Sequence, residues 1–226
     1  MPKPPLPQSR DERARAYLNV LFEINARLNY IPTLEKSDLP LGLAREVCQL
    51  QFRHICELIT IGCLVIQGDY RRPFHDEYNP QNVFKGLSRL YKGFFPLSAE
   101  FQIENGVLVA VEGRQKHNAM TRSDIEQLWS NSGKYLHRLK IHNFFRPEHW
   151  AVDNFWPETN VTIERIKFLL NPHVIAMNDP KILVVAGLDG DHGKKPNLMF
   201  VNSRPDGKVD LTHFHGRGET PYWRGV

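Results

Sequence analysis

The segment Leu41 to Gln67 limits the fold more than any other part of this chain. At about 100° per residue, Leu43, Ala44, Val47, Cys48, Leu50, Phe52, Ile55, Leu58, Ile59 and Ile61 cover more than half the circumference of a helix. Beyond Ile59 the segment is apolar almost all round. A helix of that kind runs through a core, so other elements must pack around it. Its longest apolar run, Leu58 to Ile66 with Thr60 inside it, is about half of the ~20 residues that a membrane span needs. A buried helix is therefore expected, with no membrane partner. A polar wedge remains, made of Arg45, Glu46, Gln49, Arg53 and Glu57. Arg53 and Glu57 lie one turn apart and can pair. His54 falls inside the apolar arc near Val47, Leu50 and Ile61, where a histidine is commonly a core residue with one satisfied hydrogen bond.

All three cysteines, Cys48, Cys56 and Cys63, sit on this same helix. Their spacings correspond to rises of roughly 12 and 10 Å. A disulfide needs α-carbons within ~7 Å, so no two of them can pair within the helix. Three buried thiols imply a reducing compartment, and the expected location is cytoplasmic. With no Cys-x-x-Cys, a thiolate zinc site is not expected. The composition, 41% hydrophobic and 24% charged over 226 residues, is that of a globular chain with one large domain or a domain with an appendage. Residues 1–10 carry Pro2, Pro4, Pro5 and Pro7 and no apolar stretch, which reads as a disordered tail rather than a signal peptide.

Asp11 to Asn29 reads as a helix with Tyr17, Leu18, Val20, Leu21, Ile24 and Leu28 on its buried side, closed by Pro32. Asn82 to Phe94 reads as a short helix. Glu100 to Glu112 alternates around Asn105-Gly106, a type I′ hairpin turn. That register puts Phe101, Ile103, Leu108 and Ala110 on one face, to pack against the helices. Thr121 opens another helix, with Thr121–Asp124 or Ser123–Glu126 as its capping box. Ile125, Leu128, Trp129, Ser132, Leu136 and Leu139 form its buried face, and Ser132 and Gly133 allow close approach to a neighbour. An aromatic-rich connection, Asn143 to Trp156, leads to a last helix over Val161–Leu170, ended by Asn171-Pro172. Strands are then predicted at Ile182–Leu188, Leu198–Val201 and Val209–Phe214, with Asp206-Gly207 as a turn. The expected fold is α+β: a helical bundle over 11–171 with a hairpin inserted at 100–112, and a three-stranded antiparallel meander as an appendage over 172–226.

The net charge of +4 falls between Gly113 and Trp150. Arg114, Lys116, Arg122, Lys134, Arg138, Lys140 and Arg146 there face only Asp124, Glu126 and Glu148, and the flanking segments balance. His117, His137, His142 and His149 lie in the same window. A local positive field favours an anionic partner, RNA or another polyanion first. Lys134, Arg138, Lys140 and Arg146 are the expected phosphate contacts. A different chemistry is suggested by His213-Phe214-His215. Histidines two apart on a strand point the same way, which suits a metal. With Gly207 upstream and Glu219 downstream, this run is similar to the first motif of cupin metal sites; Asp191 and His192 could add ligands. No Gly-x-Ser-x-Gly, Walker-type loop or exposed Cys–His motif occurs, so neither nucleophilic catalysis nor a cofactor is expected.

The long helix with Arg45-Glu46 through Arg53-His54, followed by the later helix ending Ser132-Gly133-Lys134-Tyr135-Leu136-His137-Arg138, resembles the paired helices of HEPN proteins over roughly residues 12–170. These are helical bundles of prokaryotic toxin, defence and RNA-processing systems. The ribonucleases among them carry an Arg, four to six residues, then His. Here Arg138 and His142, and Arg45 and His54, are spaced differently. The resemblance implies RNA or polyanion binding, with His137 and His54, each assisted by Arg138 or Arg53, as the acid–base pair if RNA is cleaved. Another reading makes the protein a non-catalytic interaction module or homodimer, using the apolar excess of Leu41–Ile66, the aromatic stretch and the sheet edges. A third is a metal-dependent enzyme using His213 and His215.

Overall fold

The computed structural model describes residues 6–7, 9–68, 77, 79–104, 107–113, 119–136, 154–189, 195–206 and 208–216, the side chains of 101–104 and 107–113 excepted. Among these residues the chain forms five helices and six strands, in the α+β arrangement expected. The helices are α1 (Arg10–Glu35), α2 (Leu41–Gln67), α3 (Pro80–Ser88), α4 (Arg122–Leu136) and α5 (Phe155–Leu170). The strands are β1 (Leu97–Glu104), β2 (Val107–Gly113), β3 (His173–Ala176), β4 (Ile182–Gly187), β5 (Asn197–Ser203) and β6 (Val209–His215).

Local chemistry accounts for most of the boundaries. Ser9 caps α1 in a full capping box with Glu12. Gly68 ends α2 in the left-handed conformation, with φ of 70°, and its N–H donates to the carbonyls of Leu64 and Val65. At α4 the pair that closes is Thr121 with Asp124. The Thr121 N–H donates to Asp124 Oδ2 at 2.8 Å, and the Asp124 N–H donates to Thr121 Oγ1 at 3.2 Å. Pro32 does not stop α1, which continues to Glu35. Proline removes one backbone donor there, but the extra turn buries Ile31 and Leu34, and that burial holds it. The last helix begins at Phe155, because Phe155 and Thr159 are buried on the same face as Ile163 and Ile166. The third helix ends at Ser88, short of Phe94.

The strands join into one antiparallel sheet in the order β2–β1–β3–β4–β5–β6. The C-terminal meander has one strand more than the pattern suggested, β3, and β3 pairs with β1 through Leu97↔Val174 and Ser98↔His173. The hairpin is thus the far edge of the same sheet. Its register agrees with a two-residue turn at Glu104↔Val107 and Ile103↔Leu108, but a bulge follows. Gln102 then faces Ala110, and Val111 rather than Ala110 stands opposite Phe101. The Asn105-Gly106 turn itself lies outside the described residues, as do residues 1–5 of the proline-rich tail.

Helices and sheet share one core. Leu21, Leu28, Phe52, Ile55, Phe84, Ile125 and Ile166 from the helices cluster with Ile175, Val184, Leu198 and Phe200 from the strands. Polar contacts tie the layers as well. Tyr17 Oη donates to His173 Nε2 at 2.7 Å, and Gln67 Nε2 donates to the Ala176 carbonyl at 2.8 Å. The Arg10 guanidinium lies 3.9 Å from the centre of the Phe200 ring. All three cysteines are free and buried, and burial pushes the Cys48 thiol up to about 12. By length and apolarity alone α2 could cross a membrane, yet half of its most apolar window is buried inside the protein.

Candidate functional site on the face of α2 and α4

α2 and α4 pack closely because Ser132 and Gly133 are small. Ser132 Oγ bonds to Gln49 Oε1 at 2.9 Å. A Cβ at Gly133 would lie 2.5 Å from Arg53 Nη1, so only glycine leaves that guanidinium its place. Glu57 organises the rest. Its Oε1 accepts from Arg53 Nε at 3.2 Å and from Trp129 Nε1 at 3.0 Å, and its Oε2 lies 3.4 Å from His54 Nδ1. The Arg53 guanidinium sits 4.3 Å from the centre of the Trp129 ring. One carboxylate therefore positions an arginine, a histidine and an indole drawn from two helices. The i, i+4 pairing of Arg53 with Glu57 was legible in the sequence. The engagement of Trp129 was not, since no spacing rule links it to Glu57.

His54 is not a core residue. Its side chain is 42% exposed. The arc that was expected to bury it is itself the outer face of α2: Leu43 is 46% exposed, Leu50 39% and Ile61 45%. Helical periodicity counted apolar positions correctly, but α1 and α4 flank α2 and leave this arc uncovered. On one side Arg27 Nη1 reaches Gln51 Oε1 at 2.6 Å; on the other stand Gln49, Arg53 and Glu57.

Two cations of the basic window, Arg122 and Lys134, fall among the described residues, and the first is paired. Arg122 Nε bonds to Glu126 at 2.9 Å, and Asp124 accepts from Arg165 Nη2 at 3.0 Å. Burial works against the Asp124 charge, but the bonds from Thr121 and the Arg165 guanidinium hold its carboxyl below the usual range. Lys134 is exposed in the last turn of α4, where a cation complements the helix dipole. His137, Arg138, Lys140 and Arg146 lie outside the described residues, as do Arg114, Lys116, His142 and His149. Of the proposed acid–base set, Arg53 and His54 are thus placed together, each held by Glu57.

His213 and His215 both stand exposed on β6, the last strand in the sheet order, with Met199 and Asn197 as their Cα partners. Asp191, His192, Gly207 and Glu219 lie outside the described residues. Among the described residues no group of three or more His, Cys, Asp or Glu is arranged to hold a metal ion. Comparison with protein-family models, curated proteins and solved structures returns no match.

Proposed function

We propose that the protein is a non-catalytic interaction module that docks through the outer face of α2, and that the partner on this face is a second copy of the same chain. The observation that carries this reading is the apolar stripe of Leu43, Leu50 and Ile61 on the solvent side of α2. Val47, Leu58 and Val65, partly buried, lie along the same stripe. Spacings of three and four along it form a seam of the kind that helices bury against one another. The stripe is also self-complementary. Pairing two α2 helices antiparallel about Phe52 sets Leu43 against Ile61 and Leu50 against His54, as a two-fold interface requires.

Sedimentation velocity tests it. The wild-type chain should sediment as a dimer, and Leu43→Asp with Ile61→Asp should weaken the dimer by about 3 kcal/mol or more, ~100-fold in affinity, without loss of helical circular dichroism. A wild-type chain that stays monomeric at about 100 µM would sink the proposal.

A second reading keeps RNA or another polyanion as partner, with the HEPN-like helix order and a role in prokaryotic defence or toxin–antitoxin systems as its setting. The exposure of Lys134, next to the Gly133 that packs on Arg53, favours it. Lys134, Arg138, Lys140 and Arg146 would then contact phosphates, and affinity would fall steeply with salt. Replacing Lys134, Arg138 and Lys140 with Ala should reduce retention of polyuridylate in a filter-binding assay at least tenfold and flatten its salt dependence. Unchanged retention would exclude these residues from contact.

A further inference from the structure

We infer that a cleft between α1 and α5 binds an extended peptide segment of about five residues, and that it does so through the peptide's main chain. The cleft has a volume of about 860 Å³. Asn25 and Asn29 of α1 line one wall, and Asn160, Glu164 and Phe168 of α5 line the other. It lies on the opposite flank of α1 from Arg27, which reaches α2, so it is a separate site from the α2 surface.

Spacing is the first argument. Asn25 and Asn29 stand one helical turn apart, a rise of about 6 Å. An extended peptide repeats every two residues, about 6.6 Å. Consecutive amides on α1 can therefore meet every second residue of a strand laid along the helix. Each carboxamide offers one acceptor and a two-hydrogen donor, the same pair of functions that a peptide residue presents in its N–H and C=O. The Asn29 Nδ2 bond to Asn25 Oδ1, 3.2 Å long and exposed, is readily exchanged for such a contact. Asn160 is exposed, and its amide makes no hydrogen bond among the described residues.

Charge is the second argument. The lining carries Glu164, Arg165, Lys167 and Asp189, whose formal charges cancel. Glu164 pairs with Lys167 at 3.2 Å, Arg165 reaches Asp124, and Asp189 is held by Asn171 through bonds of 3.3 and 3.4 Å. A cleft whose lining charges cancel does not select a phosphate or a polyanion. Length and apolar surface agree with a peptide. From Asn160 to Asn171 the α5 wall runs about 16 Å, room for five residues at ~3.3 Å each. Val161, 60% exposed, and Phe168 give alternate side chains an apolar surface to cover.

Selection of phage-displayed random heptapeptides on the intact immobilised protein tests this, followed by fluorescence anisotropy with the enriched peptides. Asn29→Ala with Asn160→Ala, at two exposed positions, should weaken binding at least tenfold. Val161→Arg, which fills the cleft from a different position, should do the same. Methylating alternate backbone nitrogens of the peptide should abolish binding. The inference is overturned if no sequence is enriched over an unrelated control protein, if binding is insensitive to the cleft variants, or if N-methylation has no effect. Capture of an uncharged oligosaccharide on a glycan array, with no peptide enriched, would equally overturn it.

Discussion

Acidified from about pH 7 to about pH 4, the protein is expected to lose about 3 kcal/mol of folding stability through His173 alone. The imidazole is fully buried, and burial lowers its pKa from 6.5 to about 4. The neutral ring is held at both nitrogens. Nδ1 donates to the Leu170 carbonyl at 2.9 Å, which leaves Nε2 to accept from Tyr17 Oη at 2.7 Å. Because the folded-state value is the lower one, the unfolded chain takes up the proton first. Stability is therefore intact above about pH 6.5, falls as the pH drops towards 4, and levels off below that as far as this group is concerned. Chemical denaturation at several pH values measures the profile. His173→Gln should be less stable at neutral pH but flatter through the window. A wild-type profile already flat between pH 6.5 and 4 would show that the ring is not held neutral as described.

Phe200→Ala should cost about 3–5 kcal/mol, the range for deleting a buried aromatic ring. Phe200 is 1% exposed on β5, packs edge-on against Phe214 with ring centres 5.9 Å apart, and carries the Arg10 guanidinium on its face. It belongs to the same core as Phe52 and Phe84, so the loss should be felt in the helices as well as in the sheet. Thermal melts followed by helical circular dichroism and by the amide I infrared band of the sheet should move down together by several degrees or more. A variant whose helical signal melts as in the wild type, while only the β signal is lost, would refute the shared core.

The sequence revealed elements far better than it revealed their partnerships. The extent of α2 could be read residue by residue, because a long apolar helix has a strong period. Its orientation could not. Leu50 and Ile61 look as buried in the pattern as Phe52 and Ile55, and only the positions of α1 and α4 decide which arc faces water. The hairpin was legible from Asn105-Gly106 and the alternation around it, whereas the bulge between Gln102 and Ile103 has no residue signature in this chain. Strand β3 is four residues long and follows Pro172 directly, too short for alternation to register. Its pairing with β1 joins Leu97 to Val174 and Ser98 to His173, residues far apart in the chain, and periodicity carries no information about such matches. Arg53, His54 and Glu57 were visible as neighbours on one helix, while Trp129 and the asparagines of α1 and α5 come together only through tertiary packing. The signs of the charges could be counted in the sequence, but their pairing could not: Arg122 is tied to Glu126, and Asp124 to Arg165 from another helix.

The pairing of Leu97 with Val174 also bears on how this chain comes into being. While everything up to Leu170 has left the ribosome, Tyr17 still lacks its imidazole acceptor and Arg10 its aromatic seat, and the inner side of the helices has no lid. The nascent protein cannot settle until the final strands emerge, so a stall in translation late in the message would strand an apolar, unsatisfied intermediate that invites chaperones or proteases.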